Sequence, residues 1–299
     1  MRALDYHPNQ IARSLKTRQT KTLGMVISDI TNPFFPQVVR GAEDAAMESG
    51  YLLITLNTDD NSERECQALS MRRARKVDGL LLTVAATRAD LKHVEQFQAA
   101  GLPIVCLDRK VPDIPLDLVC SDNMRGASMC MQHLLSRGHR RIGYLSGSVG
   151  LFTAETRLAG FLQALEEAQI EAEPRLVRHG DFRLESGYRL AKELLLEHEP
   201  PTALFASNAM MGFGALKAIH ELGLRCPEDV ALAMFDDVPF GDVIQPRLTV
   251  VAQPAYEMGR VGAQLLIARL EGRETSSTPV SHTLAPELLV RESTITRRS

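Results

Sequence analysis

Tyr6-His-Pro-Asn-Gln-Ile-Ala-Arg-Ser-Leu-Lys-Thr-Arg-Gln-Thr-Lys-Thr-Leu-Gly-Met-Val-Ile-Ser-Asp-Ile-Thr-Asn-Pro-Phe-Phe35 holds, in thirty residues, a short basic helix, a buried strand and an aromatic loop. Pro8 suits a helix start, and Gln10–Lys16 can wind about two turns, which is marginal for an isolated helix in water. Leu23–Ile27 is apolar without alternation, as a strand covered on both faces must be. The polar and aromatic loop Ser28–Phe35 follows, and then an amphipathic stretch, Phe35–Ser49, that Gly50 stops. A strand buried on both faces that runs into a helix opens a β-α unit of a parallel sheet.

The same alternation continues outward from this stretch. Leu52–Leu56, Val77–Thr83, Ile104–Leu107, Ile142–Ser146, Ala203–Ala206 and Val230–Phe235 read as strands, with helical stretches such as Ser62–Lys76 between them. Gly101-Leu-Pro, Arg137-Gly-His and Leu222-Gly-Leu fall where helices hand over to strands. The strands are too many for one open sheet, so the chain reads as α/β with two doubly wound parallel-sheet lobes. No Gly/Ser-rich or Pro-rich linker separates them, as suits lobes joined by short crossings, and no internal sequence repeat is evident. Open α/β sheets bind ligands at the carboxyl ends of their strands. Several strands here end in polar or aromatic residues: Ser28–Phe35, Asp108-Arg109, Ser207-Asn208 and Asp236-Asp237.

Composition narrows the function classes. Residues 1–22 carry a net charge of +4 within a chain of −3, which leaves −7 for the remainder. A basic arm on an acidic body points to phosphate contact by the arm and a different task for the body; a merely solvated terminus would look the same on charge alone. The 299 residues include no run near the roughly 20 apolar residues that span a bilayer. Neither an h-region nor a cleavage site opens the chain, so the expected location is the cytoplasm, with no membrane partner. Five scattered cysteines without a CxxC pair read as reduced thiols rather than a disulfide frame or metal site. No dinucleotide, Walker A or nucleophile-elbow signature occurs, so no catalytic residue, metal or cofactor is expected.

From Tyr6 to Phe35 the chain resembles the lac/galactose repressor family of bacterial transcription regulators. The likeness continues through Val77-Asp-Gly79, Arg137-Gly-His139, Arg157-Leu-Ala-Gly-Phe161, Gly180-Asp-Phe182, Pro227-Glu-Asp-Val230 and Gln253-Pro254, so it covers essentially the whole chain. The resemblance implies a periplasmic-binding-protein-like core in which an effector closes between two lobes, controlling DNA binding by a homodimer. It also implies three crossings, near residues 121, 252 and 285. The expected units are a headpiece remnant and hinge helix at 1–22, an N-terminal lobe of 23–121 plus 253–285, and a C-terminal lobe of 122–252 plus 286–299. The family's recognition helix precedes the hinge and is not in this sequence. By resemblance Leu15 is the wedge between base steps of the minor groove, with Arg13 and Lys16 at phosphates or groove edges. Packing of Leu15 against the lobes is the alternative. The chain as given is expected to read operator DNA poorly.

The resemblance also places a sugar site. Sugars present apolar C–H faces and a ring of hydroxyls, which suit aromatic plates beside carboxylates, amides and guanidinium groups. Asn32, Phe34 and Phe35 fall on its first loop, and Asp108 and Arg109 at a later strand end. Asn123 (or its neighbour Asp122), Arg157, Phe182, Asn208, Asp236 and Gln253 fall on the other matching positions. Phe35 could equally be core, and Asp108 with Arg109 could be a salt bridge. Ala209 replaces the acidic residue that commonly follows Asn208 in the family, and Phe182 occurs in purine sites as well as sugar sites. A small sugar is the expected effector. A purine-responsive regulator, a stand-alone sugar-binding module and a sugar-processing enzyme are the alternatives.

Overall fold

A computed structural model describes residues 20–69, 77–85, 91–99 and 101–295. The expected hinge residues Arg13, Leu15 and Lys16 lie outside them. Two sheets account for the described strands. The first contains β1 (Thr22–Ile27), β2 (Leu52–Asn57), β3 (Gly79–Leu82), β4 (Ile104–Leu107), β5 (Asp117–Ser121) and β11 (Ser281–Leu284). It runs in the order β11-β5-β4-β3-β1-β2, all parallel. The second contains β6 (Ile142–Ser146), β7 (Val177–His179), β8 (Ala203–Ala206), β9 (Ala231–Phe235), β10 (Thr249–Ala252) and β12 (Glu287–Leu289). Its order is β12-β10-β9-β8-β6-β7, parallel except for β12 against β10. Both sheets therefore follow one winding scheme, a repeat of topology that leaves no trace in the side chains. The strand assignments agree with the sequence to within two residues wherever a strand was recognised. Unrecognised were β5, β7, β10, β11 and β12, all of three to five residues: β7, β11 and β12 lie largely outside the buried core, while β5 and β10 are buried but carry the polar residues Asp117, Ser121 and Thr249 that break up an apolar run.

The helices are α1 (Phe34–Glu48), α2 (Ser62–Leu69), α3 (Lys92–Ala99), α4 (Asn123–Ser136), α5 (Phe152–Glu167), α6 (Leu184–Leu195), α7 (Ala209–Glu221) and α8 (Ala255–Leu270). Each sheet is covered on both faces because its strands are apolar in both directions. Met25, Leu81, Val105 and Leu107 pack against α1 and α8, while Val26, Leu80, Leu82 and Ile104 face the opposite layer with Val94 and Phe97 of α3. In the second sheet Leu145, Leu204, Leu232 and Met234 face α6 and α7. Tyr144, Phe205, Ala233 and Phe235 face α4 and α5. Close approach of α1 and α8 depends on glycine. A Cβ on Gly41 would lie 1.9 Å from the Tyr256 carbonyl oxygen, and one on Gly259 1.8 Å from that of Val38.

Three short segments carry the chain between the sheets. Asp122 follows β5 and caps α4, its carboxylate accepting the Arg125 amide at 3.1 Å. Gln253-Pro254 leads from β10 into α8, and Ala285-Pro286 joins β11 to β12. The Asp122 amide donates to the Leu284 carbonyl at 2.9 Å, which binds the first of these segments to the third.

Candidate ligand site

The carboxyl ends of the two sheets face each other across a cleft with about 440 Å³ of atom-free space. Backbone geometry sets its walls. Asp108, Phe182 and Asp236 all adopt left-handed conformations, with φ of 65°, 66° and 71°. Such conformations cost non-glycine residues about 1–3 kcal/mol and concentrate at ligand sites. Each directs the chain out of a strand end and into the cleft lining.

On the first sheet's side, Asp108 is 5% exposed and its Oδ1 has no hydrogen-bond partner among the described residues. Burial raises its pKa above the ordinary carboxylate value, against the opposing pull of Arg157 and Arg109. Arg109 is committed to protein. Its Nη1 donates to Asp60 and to the Val84 carbonyl at 3.0 Å, and Nη2 reaches Ser28 Oγ at 3.3 Å. Arg109 thus clamps the ends of β1, β2 and β3 together, while its Nε stands 3.9 Å from Asp108. Phe34 and Phe35 pack edge to face with centroids 5.1 Å apart, and both belong to the core of the α1 layer as well as to the cleft wall. Asn32 Oδ1 accepts the Phe34 amide at 3.1 Å at the start of α1.

On the second sheet's side, Arg157 projects from α5 and is 3% exposed. Its Nε donates to Asn123 Oδ1 at 2.7 Å, Nη1 donates to the Ser207 carbonyl at 2.6 Å, and the guanidinium lies 4.0 Å over the Phe235 ring. Asp236, also buried, accepts Gln253 Nε2 at 2.5 Å and the Ala209 amide at 3.5 Å. Burial raises its pKa, opposed by Arg157 and the Gln253 hydrogen bond. The adjacent Asp237 turns away and forms a two-pronged ion pair with Arg291, 2.8 Å in each arm. Gln253 Oε1 is left without a partner among the described residues. The cleft therefore holds two buried carboxylates, Asp108 and Asp236, two buried guanidiniums, Arg109 and Arg157, and unsatisfied acceptors, an arrangement suited to accept hydrogen bonds from a polyhydroxylated ligand.

Phe182 lies flat against Gly147: a Cβ there would come 2.1 Å from the ring. Gly147→Ala is therefore expected to tilt the ring into the cleft and weaken ligand binding roughly three- to tenfold, the worth of one aromatic contact. Calorimetric titration of the folded variant checks it.

Of the expected binding residues, Asn32, Phe34, Phe35, Asp108, Arg109, Arg157, Phe182, Asn208, Asp236 and Gln253 all line the cleft. Asp122 and Asn123 do not, and the reason is local. Asp122 is consumed as the cap of α4, and Asn123 is the acceptor that holds Arg157, with its amide on the Ser121 carbonyl at 3.1 Å. Asn208 lines the cleft but spends both polar ends on protein, Oδ1 capping α7 through Met211 and Nδ2 donating to the Phe182 carbonyl at 2.8 Å. Sequence reasoning missed Ser28, Asp29, Asp60, Thr153, Asp181 and Arg183. Ser28 and Asp29 directly follow β1, and Asp181 and Arg183 flank Phe182, so a strand-end rule applied to whole loops would have included them.

A family model described as a periplasmic binding protein-like domain matches residues 131–294. The ribose operon repressor of Halalkalibacterium halodurans is 34% identical over 98% of this chain and 86% of its own length. The HTH-type transcriptional repressor PurR of Haemophilus influenzae is 33% identical, over 98% of this chain and 87% of its own length. Among solved structures, a transcriptional regulator CelR–cellobiose complex superposes with a TM-score of 0.84 at 31% identity, covering 97% of this chain and 92% of that one.

Proposed function

The chain belongs to the LacI family of transcription regulators, and from that premise we propose that it is an effector-sensing core that binds a neutral monosaccharide, a pentose or hexose, in the cleft between its sheets. The proposed units are residues 23–121 plus 253–285 for one lobe and 122–252 plus 286–299 for the other, with residues 1–22 as a headpiece remnant and hinge helix. The observation that supports the sugar most directly is the buried Asp108 carboxylate, whose Oδ1 has no partner among the described residues while Arg157 and Asp236 stand across the same cleft. An unpartnered buried acceptor costs stability in the empty protein, and a ligand hydroxyl that donates to it recovers that cost. Phe34, Phe35 and Phe182 supply the apolar plates. The carboxylates, in excess over the arginines at the cleft, suit a neutral donor of hydrogen bonds rather than an anion.

In this reading the chain binds without turnover, and cleft closure sets the spacing of two hinge segments in a homodimer, which then engage or release operator DNA. A monomeric mass by light scattering at micromolar concentration would count against the dimer. For the effector, a thermal-shift screen over pentoses, hexoses, sugar acids, cellobiose and purine bases is decisive. At about 100 times its dissociation constant a ligand adds roughly 2.7 kcal/mol of stability, so a monosaccharide should raise Tm by several degrees. A response to hypoxanthine or guanine with none to any sugar would overturn the proposal in favour of a purine effector.

A further inference from the structure

Three covalent crossings join the two sheets, but one side chain connects them without using any crossing. Arg183 opens α6 on the second sheet's side, where its amide donates to Asp181 Oδ1 at 3.0 Å. Its guanidinium reaches the loops at the ends of β1 and β2 on the first sheet's side. Nη1 stands 3.5 Å from Asp29 Oδ2, and Nη2 donates to the Asp59 carbonyl at 3.3 Å. The receiving groups are themselves fixed. Asp29 Oδ1 accepts both the Thr31 amide and hydroxyl at 2.9 and 2.6 Å, which leaves Oδ2 for Arg183. Asp59 is held by Asn57 Nδ2 at 2.7 Å and by Arg64.

We propose that Arg183 is a latch residue that holds the cleft shut by bridging Asp29 and the Asp59 carbonyl, so that closure is partly prepaid before ligand enters. These contacts require the strand ends of the two sheets to be close, and separation of the sheets breaks both at once. The latch is half-exposed, with 41% of its side chain accessible. It therefore biases the open–closed ratio on the order of fivefold instead of locking it, and salt weakens it. A bias of that size keeps the cleft able to open for exchange while raising apparent ligand affinity, because the competent state is more populated. The proposal rests on the cleft being the ligand site, but its test uses no ligand, so the two readings fail separately.

The test is the distance distribution between spin labels on the exposed Cys66 of α2 and on an introduced Arg189→Cys in α6, in a Cys226→Ser background, by pulsed electron paramagnetic resonance. In the ligand-free protein, Arg183→Met should raise the ratio of long to short distances about fivefold. About 1 M NaCl should move the unaltered protein toward the same distribution, since the Debye length falls to roughly 3 Å. The charge swap Arg183→Asp with Asp29→Arg should restore the short distance, which a purely local role of Arg183 in starting α6 would not do. Identical distributions for the Arg183→Met and parent proteins, or a swap that fails to recover the short distance, would overturn the latch.

Discussion

Arg157→Ala is expected to weaken effector binding severely and to destabilise the empty protein as well. Loss of one partner of a buried, hydrogen-bonded charged contact costs about 2–5 kcal/mol of affinity, or roughly 30- to 5,000-fold. The stability loss has a separate origin. Arg157 satisfies Asn123 Oδ1 and the Ser207 carbonyl and covers the Phe235 ring. Truncation strands two buried acceptors, each worth about 1–3 kcal/mol. The two effects can be separated with Asn123→Ala. Asn123 lines no part of the cleft, yet it orients Arg157, so its removal should weaken binding only by about 1 kcal/mol, or roughly fivefold. Titration calorimetry on the folded variants, with chemical denaturation alongside, measures both. Wild-type affinity in folded Arg157→Ala would place the site elsewhere.

Asp108→Asn should move affinity and stability in opposite directions. Burial holds the Asp108 pKa above its ordinary value in the folded chain, so at neutral pH the ionised side chain opposes folding. The neutral amide removes that penalty. The empty variant should be more stable by on the order of 1 kcal/mol, a rise in Tm of roughly 2–4 °C. The same change removes a charged acceptor of ligand hydroxyls, worth about 1.5–3 kcal/mol, so affinity should fall roughly 10- to 150-fold. The sign of the pH dependence follows from linkage. With the folded pKa above the unfolded one, the native state binds the extra proton, and its stability rises as pH falls from neutrality toward about 4. The stability gap between Asp108→Asn and the parent should therefore narrow with acidification, while the parent's ligand affinity declines over the same window. A gap that widens on acidification would show that Arg157 and Arg109 stabilise the Asp108 anion by more than its burial costs, contrary to the raised pKa.

Much of this molecule was decided by its sequence alone. Continuous apolar strands such as Leu23–Ile27, Ile142–Ser146 and Ala203–Ala206 can be satisfied only between two helical layers, so periodicity alone forces a parallel α/β fold and puts binding groups at the strand ends. The resemblance then drew Arg157, Phe182 and Asp236 into one site across 79 positions of sequence. Pattern could not say which polar atoms are free, because that depends on which neighbours fold back to claim them. Asp122 and Asn208 look like ligand contacts in sequence, yet each lies at a helix start where unpaired amides take its oxygen. Asp236 and Asp237 are adjacent and chemically identical. A left-handed φ at the first and an arginine fifty-four residues away at the second send one into the cleft and the other into an ion pair. Arg183 is one more surface arginine in the sequence, and it acquires a role only because closure of the two sheets brings Asp29 and Asp59 within reach. Burial, capping and approach between lobes are long-range facts of the folded chain, so the tertiary structure alone assigns them.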